Sequence, residues 1–130
     1  MIRPMMTKRM MIASLAASIV LAAAFAVSAH NPQPREGGRI AMAGDHHVEL
    51  VTRGATVDAY LLGHDDKPIP AAGHKGLALL DVGGKTERIV LAPADGNRLS
   101  GTATMPVPAN AKGVVQITSP KGKVASARFN

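Results

Sequence analysis

From residue 39 onward the chain alternates short apolar runs with turn residues, and the apolar runs recur at intervals of roughly ten residues. Runs of β-formers occupy 39–43, 47–52, 56–62, 77–82, 86–92, 99–104, 114–119 and 124–129. Between them lie Gly44-Asp45, Arg53-Gly54, Asp65-Asp66-Lys67-Pro68, Gly83-Gly84, Ala94-Asp95-Gly96-Asn97, residues 106–113 and Pro120-Lys121-Gly122, all of them turn chemistry. No segment here keeps a helical period over eleven residues. The pattern predicts an all-β domain, a small antiparallel β-sandwich of the immunoglobulin-like kind with about seven to eight strands. Its core would be built from Val, Leu, Ile and Ala, which is modest in volume.

The stretch before residue 39 has a different pattern. Arg3, Lys8 and Arg9 precede an apolar, alanine-rich run over 10–27, and Val27-Ser28-Ala29 places small residues where a signal peptidase cuts. The run approaches the roughly 20 residues needed to cross a bilayer, but its alanine content and the cleavage signature predict a signal peptide over 1–29. The mature chain would begin at His30, in the periplasm, without stable membrane insertion. Residues 30–38, "HNPQPREGG", combine two prolines with a glycine pair and read as an extended, flexible arm. The β-domain then spans 39–130.

Composition narrows the function. The whole chain carries 15 Lys and Arg against 9 Asp and Glu; three of the basic residues fall within 1–29, leaving 12 against 9, a balance of +3. The sequence pI near 10.2 therefore overstates the charge of the mature domain. With Tyr60 and Phe129 its only aromatics, the domain lacks both a basic stripe and stacking platforms, which excludes nucleic acid as an expected partner. There is no cysteine, so disulfides, a lipid-anchoring thiol and thiolate metal sites are all ruled out. Five of the seven methionines lie within the first eleven residues; Met42 and Met105 remain, which argues against a methionine-rich Cu(I) carrier.

The candidate chemistry is histidine. In "GDHHVELV" (44–51) strand alternation puts Val48 and Leu50 on one face and His47, Glu49 and Val51 on the other. The aliphatic pair should face the core, leaving His47 and Glu49 on the outer face with α-carbons about 7 Å apart, from a rise of roughly 3.4 Å per residue. There they and His46, from the strand edge, supply nitrogen and oxygen donors suited to Cu(II) or Zn(II). The alternative is that these polar residues fill the solvent face of a half-buried strand. No second ligand pair stands at a zinc-signature spacing. His30 is a fourth candidate: as the mature N-terminal residue it would offer an α-amine and an imidazole to Cu(II), and Pro32, with no amide proton to lose, would stop further backbone ligation. His64 and His74 sit in loops flanking 67–72, where Asp65, Asp66, Lys67 and Pro68 read as a turn. Nothing suggests catalysis: there is no nucleophile elbow, no P-loop and no dinucleotide fingerprint, and Gly83-Gly84 fits a hairpin.

Residues 37–129 resemble a family of small exported proteins, similar also to the extra N-terminal module of heavy-metal efflux (RND-type) periplasmic adaptor subunits. The likeness is carried by "EGG" (36–38), "HHVELV" (46–51), "VDAYLLGHDDKPI" (57–69), "LAPADGNRLSG" (91–101) and "ARF" (127–129). The resemblance implies a periplasmic β-sandwich associated with transition-metal handling or efflux, with efflux or other envelope proteins as partners. That family begins His-Gly-Gly, whereas here Glu36 precedes Gly37-Gly38 and the nearest upstream histidine is His30. The expected function is a non-enzymatic accessory domain for copper or zinc; the alternative is a structural or protein-interaction module of the envelope that binds no metal.

Overall fold

The computed structural model describes residues 32–130; the signal-like segment 1–29 and His30 lie outside them. Eight strands follow one another: β1 (Arg39–Ala43), β2 (His46–Arg53), β3 (Thr56–Leu62), β4 (Lys75–Val82), β5 (Lys85–Asp95), β6 (Arg98–Thr102), β7 (Gly113–Thr118) and β8 (Val124–Phe129). The described residues contain no helix. The all-β antiparallel expectation is met, and the alternation pattern locates β1, β3 and β8 to the residue. The sheet is continuous, in the order β1-β2-β3-β6-β5-β4-β7-β8.

Strand β5 joins its two halves. Residues 85–91 pair with β4, and from Ala92 the strand pairs instead with β6, with a register shift between Pro93 and Asp95. Proline has no N–H to give a ladder and is tolerated in strands at such irregularities, so the sequence pattern that ends at residue 92 stops three residues short of the end of this strand. The two ends of the sheet, β1 and β8, come together. The Arg39 guanidinium helps to hold them, lying 5.4 Å from the centre of the Phe129 ring and donating to the Ala111 carbonyl at 2.5 Å.

Four connections are two-residue hairpin turns, and their glycines explain them. Gly44, Gly54 and Gly96 take φ of 60°, 58° and 50° with a negative-φ residue after each, while Gly83 and Gly84 are both positive at 59° and 81°. The first pattern is that of a type II′ turn and the second that of type I′, the turns whose twist matches paired strands. Three longer connections remain, at 63–74, 103–112 and 119–123, and the first of these shapes the candidate site.

The core lies where the apolar alternation predicts. Val48 and Leu50 of β2, Leu80 of β4, Ile89 and Leu91 of β5 and Leu99 of β6 are all buried. Phe129 is the one aromatic ring among these core side chains. The other face of β2 departs from expectation. His47 is 4% exposed and Glu49 1% exposed, so the prediction that both sit on a solvent face is wrong for each. Loop 63–68 and residues 35–38, read from the sequence as an arm, fold onto that face and cover it.

Candidate functional site

The covered face is built strand by strand. Cross-strand register sets Met42 opposite His47 and Ile40 opposite Glu49 on one side of β2, and Leu62 opposite His47 and Tyr60 opposite Glu49 on the other. Directly opposed residues project from the same face of the sheet. Asp58 and Tyr60 of β3 extend this face, and Arg98 of β6 lies opposite Tyr60. The result is a polar layer on the side of the sheet away from the aliphatic core.

His47 has an acceptor atom close to each ring nitrogen. Its Nδ1 lies 3.0 Å from Asp66 Oδ1 and its Nε2 lies 3.1 Å from Met42 Sδ. Asp66 reaches it because the chain folds back just after β3. The Gly63 amide donates to the Lys67 carbonyl at 2.8 Å, the Asp66 amide to the Gly63 carbonyl at 2.9 Å, and the Ile69 amide to the Leu61 carbonyl at 3.0 Å. Asp66 holds a left-handed backbone, φ 61°, a conformation that Asp tolerates better than most residues. That turn presents its carboxylate to the end of β2.

Glu49 serves a different purpose. Its Oε1 accepts the Arg35 amide, and its Oε2 accepts those of Glu36 and Gly38, each at 2.9 Å. The "REGG" segment thereby becomes a strap over β2. Gly38 is required by close approach, since a Cβ there would lie 2.2 Å from the Leu50 carbonyl oxygen. A small cleft of about 90 Å³ remains between the strap, Tyr60, Pro68 and Asn97.

Neighbouring groups complete the electrostatics. Asp58 is 2% exposed; its Oδ2 lies 3.5 Å from Arg98 Nη1 and its Oδ1 has no hydrogen-bond partner among the described residues. The Arg98 Nε donates to Asp95 Oδ1 at 2.7 Å, a bond that holds the Asp95 carboxyl below its ordinary range. The Tyr60 phenol is pushed up, first by burial and then by the Asp58 and Glu36 carboxylates. An unfolded chain therefore loses the Tyr60 proton first, and the stability tied to it is present below about pH 10 and falls as pH rises further. Tyr60→Phe should flatten part of the alkaline decline in urea unfolding between pH 9 and 11.5; an identical slope in both proteins would contradict it.

The sequence candidates thus separate. His46 begins β2 and is exposed; it alternates with Val48 and lines a mostly apolar cleft of about 50 Å³ together with His74, Ser119 and Lys123. That is the opposite face from His47. His74 is half-buried, its Nδ1 without a hydrogen-bond partner among the described residues, and His64 is exposed. Among the described residues, no three His, Asp or Glu side chains gather as a group that could hold a metal. A nitrogen–oxygen site made of His46, His47 and Glu49 does not fit this geometry: His46 faces away, and Glu49 already accepts three amides.

Two residues of the site escaped the sequence reading. Met42 stands directly opposite His47, a relation that only strand register reveals. Asp58 is in phase with Tyr60 and out of phase with Val57 and Ala59, which marks its face but gives no sign that the face is covered. Compared with family models, curated proteins and solved structures, the chain matches none.

Proposed function

We propose that the chain is a periplasmic, non-enzymatic accessory domain that binds a transition metal, copper or zinc, in the handling or efflux of such ions. The observation that supports this reading is His47, an imidazole whose Nδ1 lies 3.0 Å from the Asp66 carboxylate. Metal-binding histidines are commonly held in this way, the carboxylate fixing both the tautomer and the direction of the ring. With Nδ1–H donating to the Asp66 carboxylate, Nε2 is the nitrogen left to coordinate. Glu49 stays out of the ligand set, because recruiting it would strip an acceptor from three backbone amides. The resemblance to efflux-adaptor modules supports the same reading and supplies its partners, efflux or other envelope proteins to which the ion is presented.

The test is calorimetric titration with Cu(II) and Zn(II) of protein expressed as the full chain and recovered from the periplasm. Wild type should bind at micromolar ion, and His47→Gln should weaken binding by about tenfold or more with a circular dichroism spectrum that stays β. His46→Ala should leave the isotherm nearly unchanged. Adding one residue before His30 weakens Cu(II) selectively only if the terminal amine is a ligand. No heat at micromolar ion, or an isotherm indifferent to His47→Gln, overturns the reading and leaves the envelope-interaction module in its place.

A further inference from the structure

We infer that His47 Nε2 and Met42 Sδ form a two-donor site for a soft monovalent ion of the Cu(I) and Ag(I) class; this rests on the metal-handling reading and names its ion. The methionine count argued against Cu(I), but a count does not show where a methionine lies. Met42 is the cross-strand partner of His47, and its sulfur is 3.1 Å from Nε2.

The donor inventory carries the inference. A neutral imidazole has one N–H, whereas the two atoms that flank this ring, a carboxylate oxygen and a thioether sulfur, only accept. With the proton on Nδ1 toward Asp66, the Nε2 lone pair faces a sulfur lone pair, and nothing between them is shared. A cation on their common edge turns that mismatch into coordination. Imidazole with thioether is a donor set that favours Cu(I) over the harder divalent ions. The two donor atoms stand 3.1 Å apart, within reach of one ion bound to both. Met42 is 57% exposed, which leaves the ion's remaining positions open to solvent or to a ligand from an acceptor protein. The competing state is an imidazolium, protonated on both nitrogens and paired with Asp66.

The experiment uses exported protein with ¹³C-labelled methionine methyls and ¹⁵N-labelled histidine, titrated with silver nitrate in chloride-free buffer. Silver should move the Met42 methyl and the His47 Nε2 resonance and leave Met105 in place. Met42→Leu, at an exposed position that tolerates change, should lower Ag(I) affinity by about tenfold or more while Zn(II) and Cu(II) isotherms stay within about twofold, since only the soft ion uses the thioether. An Ag(I) affinity unchanged in Met42→Leu overturns the inference, as does a His47 ring that keeps protons on both nitrogens at saturating silver. Divalent binding at His47 without silver binding defeats the soft-ion inference alone and leaves the metal-handling reading standing. Failure of every ion to bind defeats both.

Discussion

Glu49→Ala should lower the unfolding free energy by about 2–4 kcal/mol, because it removes the acceptor of three backbone amides at once. Hydrogen bonds to a charged group contribute about 1.5–3 kcal/mol each, and a donor stranded in a buried site costs about 1–3. The sum for three is larger than the expected loss because the strap carrying Arg35, Glu36 and Gly38 is only part-buried, so it lifts away and its amides find water. Glu49→Gln should cost nearly as much: whichever way the amide is turned, its NH₂ replaces an oxygen that accepts an N–H, setting donor against donor. Urea unfolding gives the free energies, and hydrogen exchange supplies the localisation, since the amides of residues 35, 36 and 38 should lose protection in both variants. A loss under about 0.5 kcal/mol, the range of ordinary surface substitutions, would mean that the strap is not bound as described.

The burial of Glu49 also marks the limit of what the sequence reveals. Alternation along β2 divides Val48 and Leu50 from His47, Glu49 and Val51, and the division is right. The inference that the polar side meets solvent is where the reading fails. Nothing periodic announces a second cover, because it comes from 35–38 and from the turn at 63–68, segments 11 to 19 residues away from the groups they bind. The legible hint is Val51, in phase with His47 and Glu49 and 6% exposed; an apolar residue on the supposed solvent face is what a covered face would show. Hairpins were easier, since a glycine pair or a Gly-Asp step in a short gap is a local steric demand. Met42 illustrates the opposite case: its place beside His47 depends on register, which composition does not contain. The extension of β5 across Pro93 was hidden because proline ordinarily argues against a strand.

Gly113→Ala should be the most damaging single-methyl change in the domain, costing about 3 kcal/mol or more. Gly113 opens β7 between two partners, opposite Leu80 on β4 and Phe129 on β8. Its φ is 153°, and a Cβ built there would lie 2.0 Å from the Leu79 carbonyl oxygen and 3.0 Å from the Leu80 Cα. Both obstacles are backbone, so no rotamer change relieves them, and the strand itself must move from β4. A conformation reserved for glycine costs about 1–3 kcal/mol when another residue is forced into it, and the clash adds to that through lost pairing. Gly84→Ala provides the control, since Gly84 has φ 81° with no atom within 4 Å of the added carbon. It carries the left-handed penalty alone, about 1–2 kcal/mol. The difference between the two variants, read from midpoints of urea unfolding at equal slope, isolates the close approach of β7 to β4. If Gly113→Ala melts within about 0.5 kcal/mol of Gly84→Ala, β7 does not lie against β4 at this register, and the continuity of the sheet through β5, β4, β7 and β8 fails with it.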